Sequence, residues 1–397
     1  MSAELRRLIE AYQPGLKLDR ASTIPSSWYT DARIAELERS AVFSGTWQFA
    51  ARADQLKNAG DYVTTDVAGE PVVVVRGEDH QLRAFYNVCR HHAAAVMTQP
   101  QGRCHVMQCP YHAWTYALDG SLKGMPDWDG VQDFRKRDNG LVPIRVETWE
   151  NFVFVKLGAG GAPADALAKG SESLAAFLGD MPTRVESLNL TSLRFFERRS
   201  YDLKCNWKVY VDNYLDGGYH VPHLHKSLNT VLDYGEYTIE TCGNYCLQSS
   251  PLTAGSDADT ASVRRGNRAY YYWVYPNFML NWYEGVMDTN LVMPLAVNRC
   301  RVIFDFYFDN VEPAALDRNQ RSVMVGERVQ QEDIDVCESV QRGLTSRAYD
   351  TGRLSVRREA GEQQFHRRLH DYMNRSLSAS ADSGSRTGSD IATGRSV

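Results

Sequence analysis

The chain has 397 residues, 43% hydrophobic and 23% charged, the profile of a folded globular protein rather than a fibrous or disordered one. Forty-four basic residues against 49 acidic ones leave a net charge of −5, which excludes a broad basic footprint for nucleic acid and any attraction to anionic membranes. No apolar run is long enough for a membrane span, and Met1 to Arg7 is not followed by the apolar stretch of a secretory signal. The length implies two domains plus extras, and eight irregularly spaced cysteines point to metal binding in a reducing, cytoplasmic setting rather than to disulfides.

Residues 1–43 read as an N-terminal helical segment, broken by Pro14-Gly15 and Pro25, with Ile34, Leu37, Ala41 and Val42 at helical spacing. Residues 44–157 change to short strands, among them Tyr62–Thr64, Pro71–Val75, Leu82–Val88 and Phe152–Val155, separated by turn signals such as Leu118-Asp119-Gly120. This block predicts a small antiparallel β domain. Gly158 to Pro163 reads as a linker into a second domain, residues 158–375. There a strand (Phe195–Leu203), a helix (Asn206–Tyr219), two strands (Ala269–Leu280, Cys300–Phe308) and a long helix (Arg318–Arg347) predict an α+β domain. Residues 376–397, almost entirely Ser, Gly, Ala, Thr, Asp and Arg, predict a disordered tail.

Chemistry concentrates in two places. The first is Cys89-Arg90-His91 followed by Cys109-Pro110-Tyr111-His112. Two thiolates and two imidazoles on paired turns can hold a zinc ion, but Cys-x-His is an unusual zinc knuckle. The set suits a [2Fe–2S] cluster, with Cys89 and Cys109 on one iron and His91 and His112 on the other. His92 and His105 then read as surface or supporting histidines, and Cys104 as a small buried thiol rather than a fifth ligand.

The second is His220-Val221-Pro222-His223-Leu224-His225. Imidazoles plus one carboxylate are the facial set of a non-haem Fe(II) oxygenase, which leaves positions open for O2. A His-rich surface loop is the plainer alternative. Pro222 suggests that His220 closes the preceding helix. Asp333 is the candidate carboxylate. Val325, Val329, Asp333, Cys337, Val340 and Leu344 recur on one helical face, where an unpartnered acid is costly, whereas Asp335 should face solvent. A buried Asp serving only hydrogen bonds remains the alternative.

Cys-x-His and Cys-x2-His, then Asn206-Trp207-Lys208, then His-x4-His and a late Glu332-Asp333, resemble the large (alpha) subunit of Rieske non-haem iron oxygenases over nearly the whole chain. Asp212-Asn213-Tyr214-Leu215-Asp216, Tyr275-Pro276-Asn277-Phe278 and Cys337 to Leu344 are most similar to the choline monooxygenase branch. The resemblance implies a Rieske domain joined to a helix-grip (START/Bet v1-like) catalytic domain. It implies a [2Fe–2S] cluster and a mononuclear Fe(2+) bound by His220, His225 and Asp333, with Asp216, Asp212 and Asn213 as catalytic residues. It also implies a reductase or ferredoxin donor and a head-to-tail homotrimer. Ala94 and Tyr111 stand where some electron-transport Rieske proteins carry a disulfide, so the oxygenase type is expected. Two positions depart from the family: Gly217 stands where many members have an acid bridging to a neighbouring subunit, and His92 replaces an Arg.

Tyr271, Trp273 and Tyr275 alternate onto one strand face, where aromatic rings, with Glu284 nearby, can attract a quaternary ammonium by cation–π interaction. A filled sheet core or a pocket for an apolar ring reads equally well from these residues. The expectation is O2-dependent hydroxylation of a small organic substrate such as choline. The alternatives are an aromatic ring-hydroxylating dioxygenase and an electron carrier that uses only its Rieske domain.

Overall fold

The computed structural model describes residues 3–157 and 172–386. The linker reading at Gly158–Pro163 lies outside these residues. The chain forms two compact units: Phe43 to Arg194, and the residues up to Val42 together with those from Phe195 onward.

The first unit carries a seven-stranded antiparallel sheet in the order β1 (Gln48–Arg52), β10 (Phe152–Lys156), β9 (Pro143–Trp149), β4 (Leu82–Tyr86), β3 (Glu70–Arg76), β2 (Asp61–Val67) and β5 (Gln101–Arg103). A three-stranded sheet joins β6 (Met107–Gln108), β7 (Thr115–Tyr116) and β8 (Leu122–Gly124). The unbroken apolar run Val72–Val75 has a simple cause. Val73 and Val75 enter the core that holds Cys89, Cys109, Trp114 and Tyr116, while Val72 and Val74 enter a second core with Val63, Val153 and Val155. Because side chains alternate across a strand, a strand packed on both faces needs apolar residues throughout.

The second unit is built on another seven-stranded antiparallel sheet. Its order is β11 (Arg194–Leu203), β17 (Arg299–Phe308), β16 (Val286–Ala296), β15 (Phe278–Tyr283), β14 (Arg268–Val274), β13 (Tyr245–Pro251) and β12 (Thr238–Cys242). Three helices complete the site-bearing part: Trp207–Leu215, Leu316–Leu344 and Ala360–Arg386. This is the expected α+β class.

Several boundaries differ from the sequence reading. The first 42 residues are not a separate segment: Trp207 Nε1 donates to Glu38 Oε2 at 2.8 Å, and Lys208 Nζ lies 2.7 Å from Glu38 Oε1, both fully buried. Asn206 caps the helix through Lys208 N at 3.0 Å and donates to Tyr29 O and Val297 O. The Asn-Trp-Lys motif therefore locks the N-terminal residues onto the catalytic sheet. Residues 172–194 go with the first unit, where Leu174 N bonds Glu147 Oε2 at 2.9 Å. The run Ala269–Leu280 is a hairpin, turning at Tyr275-Pro276-Asn277. The tail reading fails between residues 376 and 386, which continue the last helix. Leu377 is buried, and its carbonyl accepts from Arg6 Nη2 at 3.3 Å. One apolar residue with a docking site outweighs a polar composition.

Candidate metal centres and substrate cavity

The two cysteine loops have the same backbone. Cys89 N donates to Ala94 O and accepts at its own carbonyl from Ala93 N; Cys109 does the same with Trp114 and Ala113. Ala93 (φ 62°) and Ala113 (φ 56°) are both left-handed, a strained conformation for a residue with a Cβ and one that collects at functional sites. The loops bring Cys89 and Cys109 together in the core, where burial raises the Cys109 thiol and the neighbouring Cys89 thiol adds to the effect. Nitrogens of His91, His92 and His112 cluster within 4.8 Å of one another. His91 stacks on Trp114 at 4.8 Å, and its Nδ1 is buried without a hydrogen-bond partner. Two paired thiols and an orphaned imidazole nitrogen fit a [2Fe–2S] group held by Cys89, His91, Cys109 and His112. His92 and His105 are exposed. Sequence reasoning missed Tyr116, whose hydroxyl lies 3.3 Å from Cys89 Sγ while accepting from Arg90 N at 3.0 Å.

In the second unit the helix Trp207–Leu215 ends earlier than expected, and His220 sits beyond it in a turn rather than on its last turn. Gly217 (φ 68°) and Gly218 (φ 69°) redirect the chain. A side chain on Gly217 would run into the carbonyl of Arg358, so the position where the resemblance implied an acid is sterically closed. Asp216, one residue earlier, contacts the histidine within the chain, with Oδ2 2.6 Å from His220 Nδ1. Glu332, also missed, places Oε2 2.6 Å from His225 Nδ1. A proton on each Nδ1 satisfies these carboxylates and leaves each Nε2 lone pair for another partner.

Those partners converge. His220, His225 and Asp333 present ligand atoms within 4.8 Å of one another, with His225 Nε2 3.1 Å from Asp333 Oδ1. Asn213 Nδ2 donates to the same Asp333 oxygen at 2.8 Å. Burial alone would depress the His225 imidazole, but Asp333 and Glu332 outweigh it and hold it above its usual range. A cation where His225 Nε2 meets Asp333 would satisfy both groups. Two imidazoles and a carboxylate fit a mononuclear iron there. His223 is exposed and Asp335 faces solvent, bonded to Gln331. The buried stripe is less apolar than the sequence suggested: Val340 is exposed, and Gln330 and Gln341 are buried with Asp333 and Cys337. Asp212 does not join this set. It accepts from Tyr29 Oη at 2.6 Å and lies 3.0 Å from the buried His366.

His220, His225 and Asp333 open onto a cavity walled by Tyr214, Tyr237, Tyr271 and Tyr283 together with Gln248, Arg264, Asn281, Asp288 and Asn290. Tyr271 and Tyr283 share a hydroxyl contact at 2.6 Å, and Tyr214 Oη donates to Asn281 Oδ1 at 2.8 Å. Burial raises all four tyrosines, keeping the phenols neutral. Of the expected aromatic face only Tyr271 lines this space. Trp273 packs on Phe365 and Tyr275 on Tyr372, so both are core residues of the C-terminal helix contact, and Glu284 is exposed. Tyr237, Tyr283 and Tyr214 come from other elements, and no single strand pattern could have grouped them.

A Rieske [2Fe–2S] domain is matched at residues 46–135, and the catalytic domain of ring-hydroxylating alpha subunits at residues 190–375. The chain belongs to the Rieske non-haem iron oxygenases, whose two domains bind a [2Fe–2S] cluster and a mononuclear iron, and it is an O2-dependent oxidoreductase. Within that family it is 40% identical to the chloroplastic choline monooxygenase of Arabidopsis thaliana over 373 residues, 93% of this chain and 87% of the relative. It is 34% identical to the carnitine monooxygenase oxygenase subunit of Escherichia coli (strain K12) over 335 residues, 83% of this chain and 86% of the relative. The crystal structure of the quaternary ammonium Rieske monooxygenase CntA with L-carnitine superimposes with a TM-score of 0.78 at 30% identity, covering 90% of this chain and 97% of that one. No helix among the described residues is long and apolar enough to cross a membrane.

Proposed function

We propose that this chain is the oxygenase component of a monooxygenase acting on a quaternary ammonium compound, choline or a relative of it. Cys89, His91, Cys109 and His112 hold the cluster; His220, His225 and Asp333 hold the iron. Asp216 and Glu332 fix the two imidazoles, and Asn213 orients Asp333. When bound, the metal groups supply electron transfer and O2 activation, with electrons from a separate reductase or ferredoxin. The chain's own task is to bind and aim a methyl-bearing cation and to shield it from bulk water.

The observation that carries the substrate class is the four-tyrosine wall beside the iron ligands, since neutral phenol rings attract an ammonium without a bulky counter-ion. An aromatic hydrocarbon fits less well, because it would strip water from a wall that carries Gln248, Asn281, Asp288 and Asn290 and offer no polar contact in return. The reading is supported by the choline and carnitine monooxygenases among the relatives. A panel of small ammonium compounds and aromatics, followed by substrate-dependent O2 uptake with a supplied reductase, tests it. Uptake with aromatics alone would overturn it.

A homotrimer and a cytoplasmic location belong to the same proposal. The structure of a related quaternary ammonium Rieske monooxygenase gives insight into inter-subunit electron transfer, which supports an assembly of several chains. Eight unpaired cysteines suit a reducing compartment, while the chloroplastic label belongs to the plant relatives. Co-expressing a cluster-dead chain (Cys109→Ser) with an iron-dead chain (Asp333→Ala) checks the assembly: turnover returns only if electrons cross between subunits.

A further inference from the structure

Most side-chain amides on the cavity wall already have a task. Asn213 Nδ2 donates to Asp333 Oδ1 at 2.8 Å, and Gln248 Nε2 to the Tyr214 carbonyl at 2.7 Å. Asn281 Nδ2 and Asn290 Nδ2 both donate to Asp288 Oδ2, at 2.7 and 3.2 Å. Arg264 is balanced on the same wall by the buried Asp288 and by the Tyr283 ring 4.7 Å away. Gln330 is the exception. It is fully buried and lines the cavity, and its Oε1 accepts from the buried Tyr210 hydroxyl at 2.6 Å, which fixes the amide plane. Its Nε2, the remaining corner, is buried with no hydrogen-bond partner among the described residues. A buried N–H without an acceptor is costly, so an amide clamped in that state is a donor prepared for an acceptor that arrives later. Gln330 stands three residues before Asp333 on the helix Leu316–Leu344. The two therefore share a helix face, about 4.5 Å apart along the axis, and the idle donor lies within a turn of an iron ligand.

We propose that Gln330 is a positioning residue: its Nε2 donates to a hydroxyl of the substrate and so sets which carbon faces the iron ligands. This rests on the quaternary ammonium reading above and deepens it. With the ammonium against the tyrosine wall and the hydroxyl on Gln330, the hydroxyl-bearing arm is presented for oxidation and the N-methyl groups are turned away. The two outcomes give different products. Oxidation of R–CH2OH takes one atom of O2, two electrons from the reductase and two protons, and yields R–CH(OH)2 and water; the diol then loses water to give an aldehyde. The same stoichiometry at an N-methyl group yields N–CH2OH, which releases formaldehyde, a tertiary amine and a proton.

The test is calorimetric binding to the oxygen-free, metal-loaded protein, followed by product analysis after turnover. The probes form two pairs, each differing by one hydroxyl: choline with ethyltrimethylammonium, and carnitine with 4-(trimethylammonio)butanoate. In at least one pair the wild type should bind the hydroxyl-bearing member about tenfold more tightly, the reach of one neutral hydrogen bond. Gln330→Met, which removes the donor at similar length, should erase that ratio by weakening the hydroxyl-bearing member alone. It should also shift turnover of a hydroxyl-bearing probe toward formaldehyde. Tyr210→Phe, which frees the amide to rotate, should keep part of the ratio. Equal binding within both pairs in the wild type, a ratio that survives Gln330→Met, or an unchanged product split in that variant overturns the proposal. If Gln330→Met does not fold or does not hold iron, the wild-type ratios and Tyr210→Phe decide. Equal and tight binding within the pairs sinks the role of Gln330 and leaves the ammonium reading standing. Binding by none of the four probes overturns both.

Discussion

The two metal-binding regions differ in where their donors come from. The cluster loops supply two thiols and two imidazoles from one short stretch, on turns with matching hydrogen bonds and matching left-handed alanines. The iron pocket joins a glycine-bent loop to a helix 108 residues further on, and each histidine there leans on a second carboxylate, Asp216 or Glu332. Thiolates carry their own negative charge to the metal, so the cluster loops need little outside help. Neutral imidazoles do not, and the iron pocket is built inside an array of acids. A local site can be defined by spacing alone; an assembled one depends on the fold.

The largest effects should separate the two regions cleanly. Cys109→Ser or His112→Ala should abolish the cluster's electron-resonance signal and leave iron bound in the other unit. Asp333→Ala should do the reverse, losing the mononuclear iron and all turnover, while Asp335→Ala retains both. Metal analysis with spectroscopy on the four variants reads this, and joint loss of both metals in any one of them would break the comparison. Next in size are the supporting acids. Glu332→Gln and Asp216→Asn should each weaken iron binding by about 10–100-fold with the cluster spectrum unchanged, measured by competition with a chelator. An affinity unaffected in both would mean that the carboxylates merely tie down loops.

Smaller again is the effect of Tyr116→Phe. Removing a hydroxyl beside Cys89 should lower the cluster's reduction potential by on the order of 60 mV, about tenfold for a one-electron couple, as read by redox titration. The smallest concerns the matched loops. Ala93→Gly and Ala113→Gly should each relieve left-handed strain, for a gain of about 0.5 kcal/mol after the entropy of glycine is set against it. Unequal shifts in the denaturation midpoint would show that the loops are less alike than their backbones.

The contrast also governs what could be read from the sequence. Cys89, His91, Cys109 and His112 announce themselves, because donor type and spacing are local. His220, His225 and Asp333 were reachable because three histidines in six residues and an acid in a buried helical stripe are both improbable by chance. Glu332 was not singled out: one residue from Asp333 on a helix normally means a different direction, and only the approach of the His225 loop makes use of it. Trp273 and Tyr275 were misread because strand alternation gives a face but does not say what covers it; here the C-terminal helix does. Arg264, before β14, belongs to no periodic pattern, so nothing in the sequence distinguishes it from a solvated arginine. The tail misreading has the same root, since composition cannot register a docking site for Leu377.

The first 42 residues and the last helix hold each other. Gln363 Nε2 and Arg367 donate to the carbonyls of Leu16 and Pro14, Tyr12 packs edge-on to His366, and Arg353 Nε donates to Ala21 O. The cluster-bearing unit is spliced into the chain between these partners. During synthesis, that insert can fold as soon as it leaves the ribosome, whereas the opening helices must wait for a strand of nascent chain several hundred residues longer to deliver their mates. The oxygenase unit is therefore assembled last, over loops of high contact order, and folds slowly for its size.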